Sequence, residues 1–299
     1  MNWEKPLKNM REALNFYIQK NGIKALILGV SGGIDSALVA AIARPVCDEL
    51  GINLIGRSLP NTTNKPDEIS RAEAVGRSFC HDFDTFVIND QFVQILSNSE
   101  IKYSSKEDEK FNKIAEGNLK ARIRMVHLYD LAYRNRGMVL GTDNFTELML
   151  GFWTLHGDVG DYGLIQNLWK MEVYDLATWI CENNLMTSRS LRPRPSLESC
   201  IKAVPTDGLG ISNSDLDQLG ASTYDEVDKI LKTWLTKDID SFYYDEDHLG
   251  YPGRLESLEF FKYRESLKDH PVVQRHIRSE FKRINPFNLK RDQIFKFQD

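Results

Sequence analysis

Short apolar runs alternate with segments of helical periodicity along the first half of the chain. Apolar side chains at helical spacing predict an amphipathic helix over residues 5–20. Further patterns predict strands at about 24–30, 52–56, 83–88 and 137–142, and helices at about 36–50, from Pro66 onward and at about 112–136. Because strands alternate with helices, we expect an α/β fold with a Rossmann-like, doubly wound parallel sheet flanked by helices.

The second half of the chain has a weaker pattern. Beyond about residue 165 the periodicity is mainly helical, and the tail from about 240 has no clear period. Residues 97–112 are polar, which predicts a mobile loop or a frayed helix start, and residues 187–218 are rich in Pro, Ser, Gly and Asp, which predicts a long flexible loop. Both segments are candidate lids, with plain disorder as the alternative. We expect a single domain over 1–299, with a core at about 24–235 and a C-terminal extension at about 240–299.

Composition narrows the class of protein. The chain carries 38 basic and 43 acidic residues, a net charge of −5, which argues against nucleic acid as a partner. Its four cysteines form no CxxC pair and are typical of reduced thiols in a cytoplasmic protein. With neither an apolar signal region nor a membrane-spanning run in the sequence, we expect no membrane association.

The most informative motif follows the first predicted strand. Its residues are Gly29, Val30, Ser31, Gly32, Gly33, Ile34, Asp35 and Ser36. A strand, a Gly-Gly turn and a helix N-terminus direct backbone N–H groups and hydroxyls toward a bound phosphate. Asp35 would repel a phosphate unless a cation lies between them, which favours a Mg²⁺ site. The alternative is that Asp35 only caps the helix.

Two further segments carry candidate binding residues. Asn118 and Arg122 lie four residues apart on the long predicted helix and share one face, although a solvated basic face gives the same pattern. We call residues 29–36 the phosphate loop. Thr142 and Glu147 lie at and after the end of the fourth predicted strand, so a turn brings them to the crevice where the phosphate loop lies. Glu147 is a candidate second magnesium ligand or a surface carboxylate.

The order of these motifs carries a resemblance to a known family. The Ser-Gly-Gly-x-Asp-Ser loop is similar to that of the N-type ATP pyrophosphatases, which split ATP between its α and β phosphates. The loop is followed by Gly-Asn-x-x-Ala-Arg, Gly-Thr-Asp-x-x-x-Glu, Gly-Phe-Trp-Thr, a lysine, Pro-Thr-Asp and a Leu-Gly-(three residues)-Tyr helix. This order resembles the ammonia-dependent NAD synthetases over about residues 24–235, with a looser echo near 280.

The resemblance implies roles for individual residues. Residues 29–36 would hold ATP phosphates, Asp35 and Glu147 would hold magnesium, and Thr142, Lys170 and Thr206 would contact ATP. Asn118, Arg122, Asp161 and Lys282 would bind deamido-NAD. Asp35 and Lys170 would be catalytic through charge neutralisation.

The resemblance also implies a reaction. ATP would adenylate the nicotinate carboxylate of deamido-NAD, and ammonia would then displace AMP to give NAD. Family members are homodimers with the dinucleotide site at the subunit interface, and the aromatic-rich helix Phe111–Tyr133 is a candidate interface unless its aromatic residues belong to the core. Only about 23 residues precede the first predicted strand, so we expect free ammonia rather than a fused amidase domain, with a separate amidase subunit as the alternative.

Three departures from the family pattern concern the substrate pocket. Leu155 replaces a lysine, Phe281 replaces the tail histidine, and the spacing before Asp161 is one residue shorter. They leave open a related ATP-pyrophosphatase ligase that acts on another carboxylic acid. A non-catalytic nucleotide-binding module is the remaining alternative, but it would not need Asp35, Glu147 and Lys170 together.

Overall fold

A five-stranded parallel sheet lies at the centre of the computed structural model, which describes residues 1–97, 106–158, 160–183, 193–204, 216, 219–236 and 257–284. The strands are β1 Ala25–Gly29, β2 Asn53–Ser58, β3 Asp82–Thr85, β4 Met138–Gly141 and β5 Tyr162–Gly163. Their order is β3-β2-β1-β4-β5, and every neighbouring pair is parallel. The predicted doubly wound α/β fold is confirmed.

Helices cover both faces of this sheet. The helices of the first half are α1 Glu4–Asn21, α2 Ile34–Leu50, α3 Pro66–Phe79, α4 Asn89–Ser97 and α5 Lys106–Arg134. Those of the second half are α6 Phe145–Leu150, α7 Lys170–Glu182, α8 Pro193–Ile201, α9 Tyr224–Leu235, α10 Ser257–Ser266, α11 Pro271–Arg278 and α12 Glu280–Arg283.

Alternation along β1 explains the two layers. Leu26 and Leu28 join the larger core, which includes residues of α1, α2, α3, α7 and α8, whereas Ala25 and Ile27 join a smaller core beneath α5. Successive side chains of a strand point to opposite faces, so an uninterrupted apolar run is buried on both sides. The carboxyl end of β1 thereby opens into the crevice between the layers, where the phosphate loop begins.

Several sequence-based expectations need correction. The third strand ends at Thr85 rather than 88, and α4 and the two-residue β5 were not predicted because neither has a long enough pattern. Within the segment predicted as a loop at 187–218, residues 193–201 form α8, which starts with a proline, a residue that suits the first helical turn. Residues 257–266, 271–278 and 280–283 of the tail are helical where no period was found. Helix α10 lacks an amphipathic stripe, whereas α11 has one but is only 8 residues long.

A third core lies beside the sheet and supports the site. It contains residues of α6, α9 and α11, including Leu150, Val227, Leu231 and Val272. The short helix α6 thus connects the end of β4 to the C-terminal helices. None of the described helices is both long and apolar enough to cross a bilayer.

Candidate active site

The phosphate loop is organised by its own serines. Ser31 Oγ lies 3.1 Å from Ser36 Oγ and accepts a 3.2 Å hydrogen bond from the backbone N–H of Gly33, and Ser36 Oγ donates to the carbonyl of Gly33 at 3.2 Å. Val30 and Ile34 point into the core, at 2% and 4% exposure. These two side chains are therefore part of the core, and the N–H of Val30 donates to the carbonyl of Arg57 at 2.9 Å.

Gly32 shows why the loop requires glycine. Its φ is +84°, and a Cβ atom there would lie 2.3 Å from the backbone oxygen of Glu68 on α3. The Gly32 carbonyl accepts hydrogen bonds from Arg71 Nε at 3.1 Å and from Cys200 Sγ at 3.4 Å. The loop is therefore held from outside by α3 and α8.

Asp35, Glu147 and Lys170 meet where the loop enters α2. Lys170 Nζ lies 2.6 Å from Asp35 Oδ2 and 3.1 Å from Glu147 Oε1. The Lys170 side chain is 3% exposed, and the two carboxylates are 16% and 18% exposed. The structure therefore brings together the three charged residues that the sequence assigned to ATP and metal. With Thr142 and residues 29–36, we call this group the nucleotide side of the site.

Asn144 is a site residue that the sequence analysis missed. It is fully buried, and its Nδ2 donates to Asp35 Oδ1 at 2.8 Å. Its Oδ1 caps α6 by accepting from the backbone N–H of Glu147 at 3.0 Å, while Glu147 Oε2 accepts from the N–H of Asn144 at 3.1 Å. An asparagine three residues before a glutamate is a capping-box signal, and that signal could have found it.

Burial and charge set the protonation of this cluster. Burial raises the pKa of Glu147 to about 7, against the lowering effect of Lys170. Burial alone would lower the pKa of Lys170, but the neighbouring Asp35 and Glu147 outweigh it and raise that pKa well above its usual value. Burial and the charge of Glu147 also raise the pKa of Asp143 well above its usual range. Two acidic groups thus contact the Lys170 ammonium, and the charge of Glu147 also acts on a third, Asp143.

The donor set suits magnesium as a companion of ATP. Among the described residues, no three acidic, histidine or cysteine side chains form a cluster suited to a metal ion. Magnesium needs fewer protein ligands, because it is commonly bound by one or two carboxylates together with substrate phosphates and water. Asp35 and Glu147 meet that requirement, since both are carboxyl groups beside the phosphate loop.

We call the residues predicted to bind deamido-NAD the substrate side; they lie on α5, directly before β5 and on α12. Asn118 Oδ1 accepts from Thr154 Oγ1 at 2.7 Å, and the exposed Arg122 donates through Nε to the carbonyl of Leu155 at 3.2 Å. Both residues therefore contact the segment that follows α6, a contact that a purely solvated basic face would not make.

The other two substrate-side residues bind the protein itself. Asp161 accepts hydrogen bonds from the N–H of Val139 at 2.8 Å and from the hydroxyl of Tyr129 at 3.1 Å. Lys282 Nζ donates to the carbonyls of Gly151, at 2.7 Å, and of Trp153. Burial lowers the pKa of Lys282, and the nearby Arg275 adds to this effect. In this conformation both side chains stabilise the chain around the site.

The remaining positions are the two threonines predicted to contact ATP and the departures from the family pattern. Thr142 is half-buried directly after β4, whereas Thr206 lies outside the described residues. Leu155 is half-buried and Phe281 is 56% exposed. Both side chains are uncharged, so neither replaces the charge of the lysine or histidine that the family pattern has at that position. His156, beside Leu155, is exposed and adopts a φ of +58°.

Comparisons with known proteins identify the family that the chain resembles. The profile of the NAD synthase family matches residues 7–250. The NH3-dependent NAD(+) synthetase of Methanococcus aeolicus is 33% identical over 221 residues, which cover 73% of this chain and 78% of that protein.

Solved structures share the fold. The NH3-dependent NAD synthetase of Campylobacter jejuni, in complex with the nitrate ion, superposes with a TM-score of 0.65 at 24% identity, covering 97% of this chain and 100% of that one. The NMN synthetase of Francisella tularensis gives a TM-score of 0.65 at 22% identity, covering 91% and 96%. At these identities the likeness establishes the fold alone.

Proposed function

The chain belongs to the NAD synthase family, and from that premise we propose that it amidates deamido-NAD with ammonia in an ATP-dependent reaction. As a member of this family it is a ligase that forms carbon–nitrogen bonds. The observation that carries the proposal is the buried contact of Lys170 with Asp35 and Glu147 beside the phosphate loop. A related ligase for another carboxylic acid is not favoured, because the Methanococcus relative, which aligns over most of both chains, is an NAD synthetase.

In the first step, a carboxylate oxygen of the nicotinate ring attacks the α-phosphorus of ATP, and the bond to pyrophosphate breaks. Residues 29–36 receive the phosphates through backbone N–H groups and the hydroxyls of Ser31 and Ser36. Lys170 neutralises charge that develops on the phosphates, and Thr142 and Thr206 contact ATP. Magnesium, held by Asp35 and Glu147, would supply further charge neutralisation when bound.

In the second step, ammonia attacks the activated carbonyl, AMP leaves with the electron pair of the broken bond, and the nitrogen loses a proton. The acyl-adenylate would hydrolyse in open water, so the site must exclude water at this stage. The chain's own residues contribute mainly by positioning the reactants and offsetting charge. Free ammonia as the donor is supported by the Methanococcus relative, which is an NH3-dependent enzyme.

The proposed place of deamido-NAD is the substrate side, with Asn118, Arg122, Asp161 and Lys282 as its contacts. The contacts of Asn118 and Arg122 with Thr154 and Leu155 support this, because they place an exposed guanidinium near the end of α6. Arginine is suited to bidentate recognition of phosphate or carboxylate.

We further propose that the protein acts as a cytoplasmic homodimer. On α5, Phe111 is 71% exposed, Val126 is 62% exposed and Tyr133 is 87% exposed, so core packing does not account for these side chains. Arg122 lies four residues from Val126 on the same face, which supports an interface next to the substrate side. The four free, buried cysteines support a reducing compartment.

The deciding experiment incubates the purified chain with ATP, Mg²⁺, ammonium and deamido-NAD and follows NAD, AMP and pyrophosphate together. Equal amounts of the three products support the proposal, and ADP with phosphate would contradict α-phosphate cleavage. A parallel reaction replaces deamido-NAD with nicotinate mononucleotide, because one structural neighbour is an NMN synthetase. A higher kcat/KM for the mononucleotide would overturn the proposed dinucleotide substrate while keeping the chemistry.

A further inference from the structure

A buried polar contact lies behind Lys170, on the side away from its ammonium. Thr146 on α6 is fully buried and Asp228 on α9 is 3% exposed, and Thr146 Oγ1 donates to Asp228 Oδ1 at 2.6 Å. Asp228 Oδ2 accepts from the backbone N–H of Met171 at 2.9 Å, and Thr146 Oγ1 accepts from the backbone N–H of Lys170 at 2.9 Å. The first two amides of α7 are therefore held by side chains of two other helices.

These amides belong to the unsatisfied donors of a helix N-terminus. Helices usually satisfy such donors with a local capping residue. Here the residue before α7 is Trp169, whose side chain makes no capping hydrogen bond, so the acceptors for Lys170 and Met171 come from α6 and α9. A carboxylate at this position also interacts favourably with the helix dipole.

Helix α9 contacts the ammonium of Lys170 as well as the backbone of the next residue, Met171. Tyr224 lies one turn before Asp228 on the same face, and the centroid of its ring is 5.3 Å from Lys170 Nζ. The ring packs beside the ammonium while Asp228 and Thr146 hold the backbone. Burial raises the pKa of Asp228 to about 6, so at pH 7.5 the carboxylate is mainly ionised and accepts both hydrogen bonds.

We propose that Asp228 and Thr146 are positioning residues that fix the start of α7 and so aim the Lys170 ammonium at the phosphates of ATP. This inference rests on the proposed function. Neither side chain reaches the crevice, because both act on the backbone of α7. If Lys170 were displaced, the rest of the nucleotide side would still bind ATP. The ammonium would then neutralise less of the charge that develops as the α-phosphate is transferred.

The test compares Thr146→Val, Thr146→Ser and Asp228→Asn with wild type in steady-state kinetics at pH 7.5. Valine removes the hydroxyl at constant shape, whereas serine keeps it. We expect Thr146→Val and Asp228→Asn to lower kcat by about tenfold or more while the KM for ATP changes less than about threefold. Thr146→Ser restores kcat to within about twofold of wild type. Asp225→Asn, on the exposed side of α9 in an ion pair with Lys229, is the matched control and leaves kcat unchanged.

Every result bears on the proposal. Retained kcat in folded Thr146→Val and Asp228→Asn overturns it, as does a loss of activity that follows only the folded fraction measured by circular dichroism. If Asp228→Asn does not fold, the valine and serine variants at position 146 decide.

A second measurement does not depend on the proposed reaction. Amide hydrogen exchange at Lys170 and Met171 should accelerate in Thr146→Val and remain slow in Thr146→Ser and Asp225→Asn. If the wild-type chain makes no amide product, the proposed function fails. The exchange rates then decide whether the contact holds α7, and unchanged protection in Thr146→Val overturns it.

Discussion

The nucleotide side and the substrate side differ in how their charged groups are held. On the nucleotide side, Lys170, Asp35 and Glu147 are nearly enclosed and bind one another. On the substrate side, Arg122 is exposed and makes one backbone contact, and Lys282 is occupied with two carbonyls. The nucleotide side is already organised without a ligand. The substrate side would have to give up these contacts in order to bind a ligand.

This difference fits the roles that we propose for the two regions. Charge neutralisation during transfer of the α-phosphate is most effective when the charged groups are fixed in a site of low dielectric. Recognition of a large dinucleotide tolerates exposed side chains that bind on arrival, especially beside a subunit interface. We therefore expect substitutions on the nucleotide side to change kcat, and substitutions on the substrate side to change the KM for one substrate.

The largest expected effect is the loss of a carboxylate on the nucleotide side. Asp35→Ala or Glu147→Ala should reduce turnover by at least about 10²–10³-fold, because each leaves Lys170 with one partner and weakens magnesium binding. Steady-state kinetics over a series of Mg²⁺ concentrations check this. Normal turnover in both variants would remove the metal assignment, and Asp225→Ala on α9 is the exposed control.

A glycine pair tests how rigidly the phosphate loop is held. Gly32 has a φ of +84° and faces the backbone of α3, whereas Gly22 has a φ of +65° and open space, with no atom within 4 Å of where a Cβ would lie. Gly22→Ala should lower the free energy of unfolding by about 1 kcal/mol through backbone strain alone. Gly32→Ala should cost about 3 kcal/mol or more and also raise the KM for ATP. Urea unfolding that gives equal values for both variants would contradict this account.

The pH dependence of stability tests the burial of Glu147. Its pKa is about 7 in the folded chain against 4.5 for the free side chain, so the folded chain binds more protons than the unfolded chain between these values. The free energy of unfolding should therefore fall as the pH rises from 4.5 to 7, because burial favours the protonated form of Glu147. Glu147→Gln should flatten that slope in urea titrations without magnesium, and an unchanged slope would show that another group causes it.

The smallest expected effect lies on the substrate side. Arg122→Ala should raise the KM for deamido-NAD by about tenfold, since one charge-assisted contact is lost, and leave the KM for ATP within about twofold. Equal increases in both KM values would contradict the assigned role. Arg134→Ala, at the far end of α5 in an exposed pair with Asp130, is the control.

The two sides also differ in how far the sequence could predict them. The loop from Gly29 to Ser36 was predicted residue by residue, because a strand, a turn and a helix start are encoded by neighbours in the chain. Asn118 and Arg122 were paired correctly on one face of α5 for the same reason. The contacts that the structure shows for Asp161 and Lys282 were not foreseen, since both side chains bind backbone atoms of distant segments.

The sequence by itself determined the parallel α/β fold, the phosphate loop and the family, because each depends on local periodicity or on the order of short motifs. Only the tertiary structure decided that Lys170 meets Asp35 across a separation of 135 residues, with Asn144 buried between Asp35 and Glu147. It likewise decided that Thr146 and Asp228 hold the start of α7. A polar side chain gives no local sign of its partner, because the partner is set by how separate helices pack around the end of the sheet.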